Sequence, residues 1–375
     1  MDRRSFFGMA ALTPAAFAAA DNTPPKYHVV SPYKPVPGQG MPGPYRGQVA
    51  SVSAPRVIEE QTEKVNQEVV REAMARGMCS LTGDRDPRDS WARFFTPADV
   101  VGIKVNASGA PNICSTREVV AEVARNLGLV GVRPQNIFCF ERFRNQLNTV
   151  RYEEVLPKGA TVEAAEDSRG RNDLYDPDVF VEVDFFGEDD TRSNMQRVVT
   201  RRATKIVNVP NMKDHGASGV TGCLKNIAYG GFSNVARSHS GVKTNTFSFI
   251  GTLASVEPIR SRTVLGIMDG IRGVWHGGPF SPSRKFRFYP KQMLFGTDPV
   301  AMDRLLLDVI DGKRKAENAM SVWNRSMANI KPGRGYDDNP NIDRFIREPG
   351  HIEFAAGLGL GEYDIRKIQV RKVEI

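Results

Sequence analysis

Cysteine is scarce in this sequence, with four in 375 residues at Cys79, Cys114, Cys139 and Cys223, and no two form a C-x-x-C pair. Iron–sulfur clusters and structural zinc modules need closely spaced thiolates, so no iron–sulfur cluster is expected. Cys139, inside the apolar "NIFCFE", reads as an inert buried thiol, and at most one disulfide is open to the four. Long apolar runs are also missing. No window reaches the roughly 18 apolar residues of a membrane span, which argues against stable membrane insertion. Lys and Arg outnumber Asp and Glu, 51 to 43, but no basic block interleaves with aromatics, so no nucleic-acid surface is expected. A small anionic ligand, or an acidic envelope surface, suits this charge balance. There is no internal repeat, no G-x-S-x-G elbow and no Walker A loop.

What is present is enough apolar residue, 40% of the chain, to bury a large core. The N-terminus, "MDRRSFFGMAALTPAAFAAADN", sets Arg3 and Arg4 before a mild apolar run and Ala18-Ala19-Ala20 as a small-residue cleavage site. This pattern predicts a removable twin-arginine export signal over residues 1–20, and a periplasmic or secreted protein. Residues 21–57, rich in Pro and Gly, predict an extended arm without a core of its own. From residue 58 the chain reads as one α/β domain. Helical spacing from Glu59 ends at Gly83; "DVVGIKVN" reads as a strand, "STREVVAEVARNLGL" as a helix capped by Ser115 or Thr116, and "NIFCFER" as a strand. Further strands are predicted at "KIVNV", "TVLGIMDG" and "QMLFG", and "IRKIQVRKVEI" alternates like an edge strand. Such alternation predicts a mixed, mostly parallel sheet with helices on both faces, a three-layer α/β/α fold. The acidic, aromatic stretch from about 151 to 200 reads as a β-rich insertion.

In open α/β sheets ligands gather beyond the carboxyl ends of the strands. Five predicted strands end there in charged or amide groups: Lys104 and Asn106; Glu141 and Arg142; Asn208, Lys213, Asp214 and His215; Asp269 and Arg272; Thr297 and Asp298. The richest is "VNVPNMKDHGASGVTGCLKN", Val207–Asn226. There Pro210 would end the strand, Gly216 and Gly219 would turn the loop, and Thr221-Gly222 would start a helix whose N–H groups attract an anion, with Lys225 one turn further in. Lys104, Asn106, Thr221, Gly222, Lys225 and Asn226 are the candidate ligand-binding residues. His215, Lys213 and Asp269 are the candidate catalytic ones, with His215 as general acid or base. One divalent metal on His215, Asp269 and Asp298, with His239 as a second imidazole, is an alternative use of the crevice. Asp303 reads as the partner of a helix arginine or a solvated helix residue, His276 and His351 as structural. Cys223 at the helix start would be a nucleophile only if Lys213 or Lys225 lowered its pKa.

Read together, "IKVN", "VNVPNMKDHGASGVTGCLKN", "IMDGIRG", "GTDPVAMD" and "AAGLGLG" resemble the family called domain of unknown function 362, over about residues 97–372. The most specific part is the K-x-H … T-G-x-L-K-N block, and Gly270, Pro299 and Asp303 also fall on the family's pattern. Members often carry a ferredoxin-like module, which this chain lacks; others carry twin-arginine signals. The resemblance implies no reaction. Two functional readings follow: an exported enzyme with an anion-binding crevice, or a non-catalytic envelope protein that captures an anionic ligand there.

Replacing Arg3 and Arg4 by lysine is expected to leave a precursor that retains Met1 to Ala20 inside the cell. Fractionation and N-terminal sequencing check this, with the parent's mature chain expected to start within a residue or two of Asp21. Undiminished export of the variant would refute the twin-arginine reading.

Overall fold

Alternation along each strand decides which layer its side chains enter, and here both faces of the strands are apolar because both are covered. The computed structural model describes residues 23–166, 174–280, 283–333 and 336–375. The export segment, residues 1–20, lies outside the described residues. In chain order the strands are β1 (His28–Val30), β2 (Gln48–Ser53), β3 (Ile58–Glu59), β4 (Lys64–Val65), β5 (Val101–Val105), β6 (Ile137–Phe143), β7 (Thr161–Glu166), β8 (Tyr175–Glu182), β9 (Arg192–Gln196), β10 (Lys205–Val209), β11 (Asn211–His215), β12 (Gly219–Val220), β13 (Thr263–Val274), β14 (Arg287–Phe288), β15 (Gln292–Gly296) and β16 (Gln369–Glu374). The helices are α1 (Gln67–Thr82), α2 (Pro87–Ala92), α3 (Arg117–Leu129), α4 (Arg144–Val150), α5 (Gly222–Gly231), α6 (Thr246–Ala254), α7 (Ile259–Arg262), α8 (Pro299–Ala316) and α9 (His351–Gly357).

The main sheet runs β16-β2-β15-β13-β10-β5-β6-β7, and along this path only β15 is antiparallel to its neighbours. Val101, Ile103 and Val105 of β5 join Ile137 and Cys139 of β6 and Val207 and Val209 of β10 on the face covered by α1, α2 and α3. Phe138, Phe140, Ile206 and Met268 point the other way, beneath α5, α6, α8 and α9. The fold is therefore the mostly parallel three-layer α/β/α arrangement that the alternation predicts. The left-handed Gly83 ends α1, and β16 forms the predicted edge.

Three expectations need correction. Residues 21–57 are not a detached arm: β2 lies inside the sheet between β15 and β16, with Val49, Ala50 and Val52 fully buried, and β1 pairs with β8. Short apolar strands flanked by Pro and Gly look like linker until their partners, about 150 residues away for β1 and more than 200 for β2, are known. The β-rich insertion is also narrower than 151–200. β7 extends the main sheet beside β6, and only β8 and β9 leave it, forming a small sheet with β1. The third concerns the segment that follows: β10 does end at Val209, but no loop opens after Pro210. The Pro210 carbonyl accepts the Asp269 N–H, and the chain continues as β11 along the same neighbour, β13. Lys213, Asp214 and His215 are thus strand residues rather than loop residues.

The start of α5 departs most from the sequence reading. Asp303 of α8 is fully buried, and its carboxylate accepts the N–H groups of Cys223 (2.5 Å) and Leu224 (2.9 Å). It is neither a solvated residue nor an arginine partner; it is the anion that caps this helix. Gly222 makes room for it: φ is +59°, and a Cβ there would lie 2.2 Å from Asp303 Oδ1. Substituting Gly222→Ala is expected to cost at least about 2 kcal/mol of stability. Asp303→Ala is expected to cost about 1–3 kcal/mol for each N–H left unpaired. Denaturant unfolding checks both; near-zero effects would show that the cap does not hold α5.

Candidate functional site

A cleft of about 600 Å³ opens beyond the carboxyl ends of β5, β6 and β11, where open α/β sheets bind ligands. Asn106 and Ser108 follow β5, Glu141, Arg142 and Phe143 end β6, and Asp214 and His215 end β11. The next turn brings Thr221, Lys225, Asn226 and Tyr229 of α5. Two segments distant in sequence, 276–280 and 336–347, complete the lining.

Beneath the cleft lies a polar network. Lys104 is fully buried and donates to Val105 O (2.5 Å) and Asn226 Oδ1 (3.2 Å), with Glu141 Oε2 also at 3.2 Å. Asn106 Nδ2 donates to the same Asn226 oxygen (3.2 Å), while Asn106 Oδ1 accepts from Lys213 Nζ (2.5 Å) and Ser108 Oγ (3.1 Å). Asn226 Nδ2 in turn reaches Asn208 Oδ1 (2.8 Å), and Asn208 Nδ2 reaches Cys223 O (2.9 Å). The ammonium donors therefore set both amide orientations, since Asn106 and Asn226 must turn an oxygen toward a lysine. Gly230 lets α5 settle onto this layer, because a Cβ there would lie 2.2 Å from Lys104 Cε.

Lys213 has no carboxylate in hydrogen-bond reach, and burial lowers its pKa to about 7. Lys225 is also brought to about 7, by burial first and then by the positive charges of Arg142 and Lys213. Its Nζ lies 4.2 Å from the centroid of the Tyr229 ring, and among the described residues it makes neither a hydrogen bond nor an ion pair. One turn earlier on the same helical face, Thr221 is buried and its Oγ1 has no partner. Asp214 Oδ2 is likewise without a partner, while Oδ1 accepts from Arg347.

His215 takes a narrower role than general acid or base. Its Nδ1 accepts the backbone N–H groups of Ala217 (3.1 Å) and Ser218 (3.3 Å), which assigns the proton of the neutral ring to Nε2. Burial, then Lys225 and His239, hold its pKa well below the usual histidine value. The ring is thus a neutral hydrogen-bond donor through Nε2–H, tilted against His239 at 5.3 Å between centroids.

The remaining predicted residues are not brought into the cleft. Asp269 sits mid-strand in β13, opposite Asn211, four residues and about 13 Å of strand from His215. Its oxygens accept Thr116 N (2.7 Å) and Ile271 N (3.0 Å), so it caps α3, for which neither Ser115 nor Thr116 supplies the side-chain cap. Asp298 caps α8 through Ala301 N (2.8 Å) and ties down Gly47 N and Glu362 N (both 2.9 Å). These carboxylates are structural, and His215, Asp269 and Asp298 do not share a site fit for a metal. Among the described residues no three His, Cys, Asp or Glu side chains are grouped as ligands. Thr221-Gly222 offers no open helix terminus either, because Asp303 occupies it. Cys223 is buried beside Asp303, which raises its thiol pKa well above normal and removes it as a nucleophile. All four cysteines are unpaired. His276 lines the cleft, its Nε2 2.6 Å from Asp337 O.

Residues 101–308, more than half of the chain, match the family model described as Domain of unknown function (DUF362). The chain belongs to this family. The DUF362 match covers β5 to α8, and so the whole lysine–asparagine network with Asp303, whereas the 336–347 wall lies beyond it. No curated protein matches this chain. A structural-genomics crystal structure of a protein from Thermotoga maritima is similar at 10% identity and a TM-score of 0.39, over 68% of this chain and 59% of that chain. The match therefore spans about three fifths of that protein's length.

The sequence marked Asp214 only as a strand-end group and gave no sign of Tyr229 or of the aromatic side chains of 276–280 and 336–347. Those two segments had no signal, because Gly-rich and irregular segments carry no period.

Lys213 titrates from 10.5 unfolded to about 7 folded. Between those values the unfolded chain holds the extra proton, so its contribution to stability rises with pH from about 7 to 10.5, at up to about 1.4 kcal/mol per pH unit. The Lys213→Met variant is therefore expected to gain on wild type in unfolding free energy most at pH 6 and least near pH 10. A pH-independent difference would show that Lys213 keeps an ordinary pKa.

Proposed function

We propose that this DUF362 protein is an exported enzyme that binds a small anionic substrate in the cleft, with Lys225 and Thr221 on one face of α5 and His215 Nε2–H as donors. One observation carries the reading: Lys225 is an amine buried at the cleft wall, with no carboxylate or carbonyl acceptor of its own. Desolvated cations without partners are costly to keep, and an anion that supplies the missing charge would offset that cost.

The enzymatic half of the reading is supported by the two lysines near neutrality. A site that only captures anions is served by ammonium groups of ordinary pKa, whereas amines poised near 7 exchange protons at working pH. Lys225 would meet the substrate and move a proton at Nζ. Lys213 would act through Asn106 and Ser108, positioning the cleft floor and holding a second proton beneath it. Asp214 Oδ2 would accept a hydrogen bond from a substrate hydroxyl or amine.

An anion requires Lys225 protonated and raises its pKa in the complex. Affinity is then level below pH 7 and falls as pH rises above it, by up to about tenfold per unit. Isothermal titration with sulfate and with acetate, both ionised throughout, from pH 5.5 to 9 checks this. Lys225→Met is expected to weaken both ions at least tenfold at pH 6 and to abolish the pH dependence. Unchanged binding in Lys225→Met would overturn the anion reading.

A further inference from the structure

The cleft is far larger than a bare inorganic anion needs. Its roughly 600 Å³ falls within the range of about 300–1,000 Å³ filled by drug-sized ligands. His215, Thr221 and Lys225 enter it from β11 and the start of α5. The rest of the lining mixes polar groups with a set of aromatic and aliphatic side chains: Phe143 from the end of β6, Phe280 from the 276–280 segment, and Tyr336, Ile342 and Phe345 from the 336–347 segment. Two of these large side chains remain in solvent, Phe280 at 58% and Tyr336 at 40% exposure. Large exposed aromatics in a concave site mark a surface that a ligand covers. They belong to two segments about 60 residues apart that meet at the cleft, joined by the His276 to Asp337 hydrogen bond. The rings therefore stand on a braced wall rather than on independent loop tips.

We infer that the ligand of this cleft is an aromatic organic anion, its acidic head group on Lys225 and Thr221 and its planar apolar body between Phe280, Tyr336 and Phe345. The inference rests on the anion reading above and adds the substrate class. Ring-on-ring contact with two or three aromatics contributes beyond the area buried. A head group alone makes no such contact.

Three probes test it by titration at pH 6: 2-naphthoate, acetate, which lacks the ring, and 2-naphthylmethanol, which lacks the charge. Wild type is expected to bind 2-naphthoate at least tenfold tighter than either of the others. Phe280→Ala with Tyr336→Ala removes only exposed rings, so the variant should fold, which circular dichroism verifies; it is expected to lose at least fivefold in 2-naphthoate affinity and to keep its acetate affinity. Equal affinity for acetate and 2-naphthoate, both lost in Lys225→Met, would overturn the aromatic inference and leave the anion site standing. Insensitivity of all three probes to Lys225→Met would overturn the anion reading and the inference together. Binding of 2-naphthylmethanol as tight as 2-naphthoate would refute the acidic head group.

Discussion

The carboxylate of Asp303 on the first N–H groups of α5 is the interaction on which the site depends. It joins α8 to α5 across the layer that covers one face of the sheet, and α5 carries Thr221, Lys225, Asn226 and Tyr229. Burial raises the Asp303 pKa to about 7, while the two backbone donors favour the ionised form. With a carboxylate already seated there, the positive end of the helix is satisfied within the protein. Ligand recognition therefore passes from the backbone of the helix start to its side chains.

Those side chains stand on a floor with more cations than the protein neutralises. Lys104 has Glu141, at the cost of full burial; Lys213 has only amide and hydroxyl oxygens; Lys225 has an aromatic ring. A chain of amides, Asn226 to Asn106 on one side and Asn226 to Asn208 on the other, fixes these groups relative to one another. Such a network is rigid because each amide has one orientation that satisfies its lysine. Its charge deficit is what an anionic ligand would complete.

On the far side of Asp214, buried Arg347 binds both Asp214 and Asp343, and Arg314 reaches the carbonyls of Trp275 and Pro340. These arginines tie the 276–280 and 336–347 segments to β11. The wall that carries Phe280, Tyr336 and Phe345 is thus held by ion pairs and carbonyl contacts, and Asp214, Asp343 and Arg347 of these pairs also line the cleft.

Much of this was legible from sequence. Apolar period and turn residues determined the layered α/β fold, the C-terminal end of α1 and the edge strand β16, because these depend on local backbone preference and on which face of a strand is covered; the helical spacing read from Glu59 begins as helix only at Gln67. The strand-end rule picked out Lys104, Asn106, Lys213, His215, Lys225 and Asn226 for the same reason: parallel strands deliver their following residues to one edge. Tertiary structure alone decided what each polar group bonds. Asp269, Asp298 and Asp303 looked like ligands or surface residues and are helix caps, since a carboxylate is claimed by whichever N–H groups the fold brings near it. Strand β2 and the aromatic wall were invisible for a related reason. Their partners lie up to more than 200 residues away, and a contact made at that separation leaves no period in the chain.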